Sequence, residues 1–169
     1  SIEQDPREAL RSAQKLRELN DSRKSLTEQG VDMALKQVSE QHLLDHRVLV
    51  IYLPDCHESL AGIIAGRIRE RFCRPVFVLT RTEEGLVKGS GRSIEAYDMF
   101  ASMTAVKDCF VKFGGHKMAA GLSMEETMIR PLQELLEEHC CLREEDLTDV
   151  LHIDMELPPG LWTREMTEE

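Results

Sequence analysis

Two short apolar runs constrain this 169-residue chain more than anything else in it: Arg47 to Leu53 and Pro75 to Thr80. Both are rich in β-branched residues and almost continuously apolar, which predicts strands covered on both faces. Between them, residues 58–72 place Leu60, Ala61, Ile64, Ala65 and Ile68 on one helical face, with Arg67, Arg69 and Arg71 outside. Gly62 and Gly66 lie one turn apart and let that helix approach a sheet closely. Strand, helix and strand with a short return predict a right-handed parallel crossover.

The remaining segments attach to this unit. Asp5 reads as an N-cap with Pro6 at the first helical position, followed by Leu10, Ala13, Leu16 and Leu19 or Asn20 at helical spacing. Asn20 or Asp21 can cap a second helix whose stripe is Leu26, Val31, Met33, Ala34, Leu35 and Val38, interrupted by Gly30. Such an amphipathic arm needs a surface to lie against. Downstream, residues 86–93 alternate poorly, 96–106 form a short helix, 119–124 a strand and 128–141 an amphipathic helix. After an acidic connection (143–149), Leu151, Ile153, Met155 and Leu157 alternate with polar residues as a strand buried on one face, stopped by Pro158 and Pro159. The expected class is α/β: a mixed β-sheet flanked by helices, with an amino-terminal helical arm.

No apolar run approaches the roughly 20 residues that span a bilayer, and Ser1, Glu3 and Asp5 do not open a signal peptide. This predicts a soluble, cytoplasmic protein without a membrane partner. The absence of a starting Met and the featureless Thr163–Glu169 read as a piece of a longer protein. Five cysteines, odd in number and unevenly spaced, read as reduced thiols. Cys56, His57, Cys140 and Cys141 do not make a zinc set, because adjacent ligand pairs lack the gap that lets two side chains converge on one ion. The net charge of −10 argues against a nucleic-acid partner only if it is evenly spread. Residues 1–55 carry 8 Lys/Arg against 10 Asp/Glu, 56–124 carry 10 against 7, and 125–169 carry 3 against 14. Only the middle third is positive, and it permits phosphate binding.

Two glycine-containing segments in that third carry chemistry. In Gly89-Ser90-Gly91-Arg92-Ser93 the glycines free the backbone to approach an anion, the hydroxyls can donate and the guanidinium can fork onto phosphate oxygens. A flexible hairpin connection explains the same residues. In Phe113-Gly114-Gly115-His116-Lys117-Met118-Ala119-Ala120-Gly121 a histidine follows paired glycines on an expected loop, where its ring can donate to a phosphate. Its alternative is a bond to a nearby carbonyl, and crowding accounts for the small residues. Lys88, Arg67 and Lys117 read as solvated surface charge that can add non-specific attraction.

These two segments, in this order and spacing, with the helix that follows Asp55-Cys56-His57-Glu58-Ser59, resemble the DHH-associated domain of the DHH phosphoesterase superfamily over roughly residues 46–140. Within it the chain is most similar to RecJ-type exonucleases. His57 to Ala65 resembles the opening of their second domain, although Cys56 stands where an aromatic is usual. Leu19, Asn20 and Arg23 resemble their interdomain linker, and residues 150–157 the start of their oligonucleotide-binding fold.

The resemblance implies three parts: a linker arm (1–45), the DHH-associated domain (46–141), and a connection with the first strand of a truncated oligonucleotide-binding fold (142–169). It implies a single-stranded-DNA partner, digested 5′ to 3′ in repair and recombination with Mn²⁺ or Mg²⁺. That metal would be held by Asp and His residues of an amino-terminal DHH domain that the chain lacks. Asp45-His46 runs into Arg47 and a strand and is not the family's metal motif. The expectation is therefore no metal site and no hydrolysis here. Substrate binding carries over to Ser90, Gly91, Arg92, Ser93, Gly114, Gly115 and His116, the last beside the scissile phosphate. His57 is either a further contact or a helix cap. Two other readings stand beside this one: a phosphodiesterase of the same superfamily acting on short RNA or cyclic dinucleotides, and a protein-interaction module with an acidic tail.

Overall fold

Strands buried on both faces need helices on both sides, and the chain supplies them. The computed structural model describes residues 6–148. α1 (Pro6–Glu40) leads into β1 (Leu49–Tyr52), α2 (Glu58–Phe72), β2 (Val76–Arg81) and β3 (Val87–Arg92). There follow α3 (Met99–Ala105), β4 (Lys112–His116), β5 (Ala119–Met124) and α4 (Ile129–Glu138). The five strands form one sheet in the order β1-β2-β3-β5-β4. β1 and β2 pair in parallel and every other pair is antiparallel, so the sheet is mixed and the class is α/β as expected.

Side chains alternate across each strand and divide the core in two. Leu49, Ile51, Val76 and Val78 face α1 and α2, packing with Ala34, Val38, Leu60, Ile64 and Ile68. Val50, Phe77, Leu79, Val87, Ala120, Leu122 and Met124 face α3 and α4, packing with Met99, Met103, Leu132 and Leu136.

The free edge of β1 is closed by side chains. The amide of Gln37 on α1 accepts from Tyr52 N–H at 2.9 Å and donates to its carbonyl at 3.1 Å. Gln133 on α4 accepts from Val50 N–H at 3.0 Å and donates to the Val48 carbonyl at 2.9 Å. Glu137 accepts from Arg47 N–H and from its guanidinium, both at 2.8 Å. An edge that is otherwise a template for another strand is thereby satisfied, and both helices are pinned to it.

Several elements depart from the sequence expectation. The arm is one helix, not two, with Asn20 and Asp21 in its interior. Both are exposed, so their side chains bond to water rather than competing for the backbone, and no proline breaks the run. Its carboxy-terminal half docks through Thr27, Gly30, Ala34 and Val38, whereas Leu26 and Met33 face outward. Gly30 is where α1 meets α2: a Cβ there would lie 2.5 Å from Ile64 Cδ1.

The two glycine segments read as loops are strands β3 and β4, held by partners on both sides or on one. Of the α2 glycines, only Gly62 makes a close approach, its added Cβ falling 2.8 Å from the Arg92 guanidinium; Gly66 has open space. α3 starts at Met99 because the Asp98 carboxylate accepts from Ala101 N–H at 2.9 Å and caps it. The strand expected at 150–157 lies outside the described residues.

Burial pushes the Glu137 carboxyl up, but the hydrogen bonds from the Arg47 guanidinium and from the Arg47 and Val48 amides outweigh it, holding the group below the usual carboxylate range. A carboxyl depressed in the folded state stabilises above its unfolded pKa and loses that stabilisation as pH falls through the folded one. Glu137→Gln is expected to lower stability at pH 7 by about 1–3 kcal/mol. The gap to the parent should narrow from about pH 5 downward as the carboxylate protonates. Urea unfolding across that range checks it, and a gap constant with pH would refute the role of the charge.

Candidate functional site

Register brings three strands' polar residues into one array. Residues directly opposite in an antiparallel pair point to the same face, so the pairings define rows across β3, β5 and β4. One row is Arg92, Ala119 and His116; the next is Ser90, Gly121 and Gly114; the third is Lys88, Ser123 and Lys112. This is the face on which α2 lies, because Ser90 and Arg92 are in register with Val78 and Val76 and touch Gly62. α2 lies over β2 and β3, α1 lies over β1, and neither reaches β5 or β4. Among the described residues nothing covers this face of β5 and β4: Gly114, His116, Gly121 and Lys112 are exposed. The other face of the same strands is closed, with Phe113 packed on Phe110 and Phe100 at ring distances of 5.1 and 6.0 Å.

The glycines of the array differ in what they do. At Gly115, with φ 157°, a Cβ would fall 2.4 Å from the Ala119 carbonyl oxygen and 2.6 Å from Ala120 Cα, so the hairpin itself excludes a side chain. Gly89 and Gly91 sit under Leu79 and Met99 on the closed face. A Cβ at Gly114 would meet nothing within 4 Å, and at Gly121 only the Gly89 carbonyl, at 4.0 Å. Crowding within the fold thus does not account for these two, contrary to the sequence expectation.

Two histidines border the platform with the same chemistry. His57 is the N-cap of α2, its Nδ1 accepting from Ser59 N–H at 3.2 Å with the Ser59 hydroxyl at 2.8 Å. His116 Nδ1 accepts from Met118 N–H at 3.3 Å. With Nδ1 accepting, the proton of a neutral ring sits on Nε2, so each exposed imidazole presents an N–H donor outward. His57 therefore caps and presents a donor at once. Arg92 is half-buried over Gly62, its guanidinium donating to the Gly91 carbonyl at 2.8 Å. That one bond leaves its other N–H groups for a ligand.

Ser93 departs from its expected place. It is buried and its hydroxyl donates to the Tyr97 carbonyl at 2.7 Å, which fixes the turn into α3 and removes it from the array. Gly91 likewise faces the core. Ser90 and Gly114 lie centrally, beside a shallow depression of about 290 Å³ lined by Glu58, Ser59, Lys88, Ser90 and Gly121.

Lys112 and Ser123 escaped sequence reading because they come together only through register. The signal was the two-residue period shared by Lys88, Ser90, Arg92 and by Lys112, Gly114, His116. Lys88 is paired at 2.9 Å with Glu58, whose hydrogen bond and charge hold the ammonium above its ordinary range, and Lys117 pairs with Glu95. The carboxylates of α4 stand on the opposite side of the sheet. Among the described residues, no group of three or more His, Cys, Asp or Glu is placed to hold a metal ion, and no helix is long and apolar enough to cross a membrane.

Comparison with known proteins bears on the family and the fold. Residues 45–140 match the DHHA1 domain family. The single-stranded-DNA-specific exonuclease RecJ of Bacillus subtilis is 34% identical over 157 residues, which is 91% of this chain and 20% of that protein. RecJ of Escherichia coli is 38% identical over 135 residues, 75% of this chain and 23% of that protein. The chain thus spans about a fifth of the length of these relatives.

Among solved structures, RecJ from Thermus thermophilus in complex with Mg²⁺ superposes with a TM-score of 0.72 at 29% identity, over 82% of this chain and 21% of that one. An exonuclease RecJ bound to manganese gives 0.73 at 28%, over 86% and 36%. With a closely superposing backbone, relatives above 30% identity and a family match over more than half its length, the chain belongs to the DHHA1 domain family and is a RecJ-type fragment.

Proposed function

We propose that this chain is the single-stranded-DNA-binding part of a cytoplasmic 5′-to-3′ exonuclease of DNA repair and recombination, and that it holds the strand without cutting it. The observation that carries this reading is a pair of glycines at positions where the fold itself leaves room for a side chain. Glycine in a strand interior weakens the strand, and its presence where space is open suits close approach by another backbone. Gly114 and Gly121 are such positions, flanked by Arg92, His116, Ser90 and the lysines.

A sugar-phosphate chain lying over that floor meets a guanidinium that forks onto phosphate oxygens, an Nε2–H, a hydroxyl and the backbone. Contacts of this kind read the phosphate chain and not the bases, which suits an enzyme acting on any sequence. The face is also too open for a small molecule, whose sites are concave and enclose most of the ligand. The relatives' structures hold Mg²⁺ or Mn²⁺, and the described residues offer no ligand set for either. On this reading the metal and the hydrolytic step belong to an amino-terminal DHH domain of the parent protein, with His116 contacting the phosphate from this side.

Arg92→Ala and His116→Ala are each expected to weaken binding of a labelled 5′-phosphorylated single strand about tenfold at low salt, a loss near 1.4 kcal/mol. Anisotropy titration checks this. Unchanged affinity in both would sink the assignment, and no binding at any salt would favour a protein-interaction module.

The glycines give a second test, because fold and site predict opposite orders. Gly115→Ala should cost about 1–3 kcal/mol of stability through backbone strain. Gly114→Ala and Gly121→Ala should stay within about 0.5 kcal/mol of the parent in unfolding yet lose strand affinity. If both bind normally, close approach is not why they are glycines.

A further inference from the structure

The row Lys88, Ser123 and Lys112 lies two register steps from Arg92, Ala119 and His116, on the same face, running from the border of α2 at β3 onto open β5 and β4. We propose that it is a second phosphate seat, so that the platform grips two separate phosphates of one strand along the direction of β3 and β4. This rests on reading the platform as the strand-binding face.

Three observations carry it. Four residues of strand separate Lys88 from Arg92 and Lys112 from His116, about 13 Å at 3.3 Å per residue. The Arg92 guanidinium is folded against Gly62 and bonded to the Gly91 carbonyl while Lys88 points to Glu58, and a donor must come within about 3 Å of a phosphate oxygen, so the outer rows serve different phosphates. Each seat has a cation and a second donor: Arg92 with His116 at one end, and two lysines around the Ser123 hydroxyl at the other. Between them lie Ser90, Gly121 and Gly114, small enough to let the intervening sugar-phosphate descend to the backbone.

Lys112 is exposed and has no ion-pair partner among the described residues, and Lys88 is held by Glu58 at 2.9 Å. Both groups of that pair are about half exposed. A solvated pair of this kind exchanges partners readily, so an arriving phosphate replaces the Glu58 carboxylate. In the unliganded chain Glu58 keeps the place of that phosphate.

The seat therefore sets a length requirement. A mononucleotide fills only the Arg92–His116 end, whereas an oligonucleotide reaches both. We would titrate the 169-residue chain with thymidine 5′-monophosphate, followed by amide chemical shifts, and with a labelled oligothymidylate, followed by anisotropy at several salt concentrations.

Lys112→Ala is expected to leave the mononucleotide unaffected and to weaken the oligonucleotide about three- to tenfold. The slope of log affinity against log salt should fall by about 0.7, one single-strand phosphate contact. Arg130→Ala, on α4 across the sheet, is the control for general loss of charge. If Arg92→Ala weakens both ligands while Lys112→Ala and Ser123→Ala change the oligonucleotide no more than Arg130→Ala, the second seat is overturned and the platform survives. If Arg92→Ala also has no effect, the platform reading falls and the seat with it.

Discussion

The fold depends on how β1 is finished. A parallel pair buried on both faces supplies many of the large fully buried side chains, yet β1 ends the sheet and would leave its outer backbone groups unpaired. Gln37 and Gln133 each complete a donor–acceptor exchange that a neighbouring strand would otherwise make, and Glu137 takes the last amide with Arg47. Because one glutamine comes from α1 and the other from α4, closing the edge also locates the helices of both layers. Buried amides left without partners would be costly, so this edge couples backbone satisfaction to the placement of elements far apart in sequence.

The site follows from what the helices do not cover. α2 is anchored over β2 and β3 by Leu60, Ile64 and Ile68, and Arg92 folds against it at Gly62. Beyond that line, among the described residues, the sheet has a lid on one side only. An antiparallel extension can present one face to water, and here that face is paved with small residues and bordered by donors. The same arginine that packs on α2 marks the start of the open surface, so the position of the cation is set by helix packing and not by the flexibility of a loop.

Much of this was legible from sequence and some was not. The helix at 58–72 and the strands at 76–81 and 119–124 were readable because burial on one or both faces leaves a strong apolar pattern. β3 and β4 were not, since glycine and serine have little strand propensity and their pairing is imposed by partners remote in sequence, such as Ser90 opposite Gly121. Arg92, Ser90, Gly114 and His116 were picked out by residue type, while Ser93 was misplaced because a serine beside an arginine gives no sign that its hydroxyl is committed to the Tyr97 carbonyl. The continuous helix from Pro6 shows the reverse case, where capping residues at Asn20 and Asp21 suggested a break that the exposed helix had no reason to make.

The sheet is also an electrical partition. Its cationic array and the carboxylates of α4 are separated by the thickness of the packed layers, about 10 Å between stacked layers, and at physiological ionic strength a surface field decays over about 8 Å. Among the described residues each side therefore shows solvent its own sign even though the chain as a whole is acidic. A polyanion drifting toward the molecule is repelled from one side and drawn to the other, so it is turned before it touches. Net charge describes how the molecule migrates in a field; the partition describes which way it faces when something arrives.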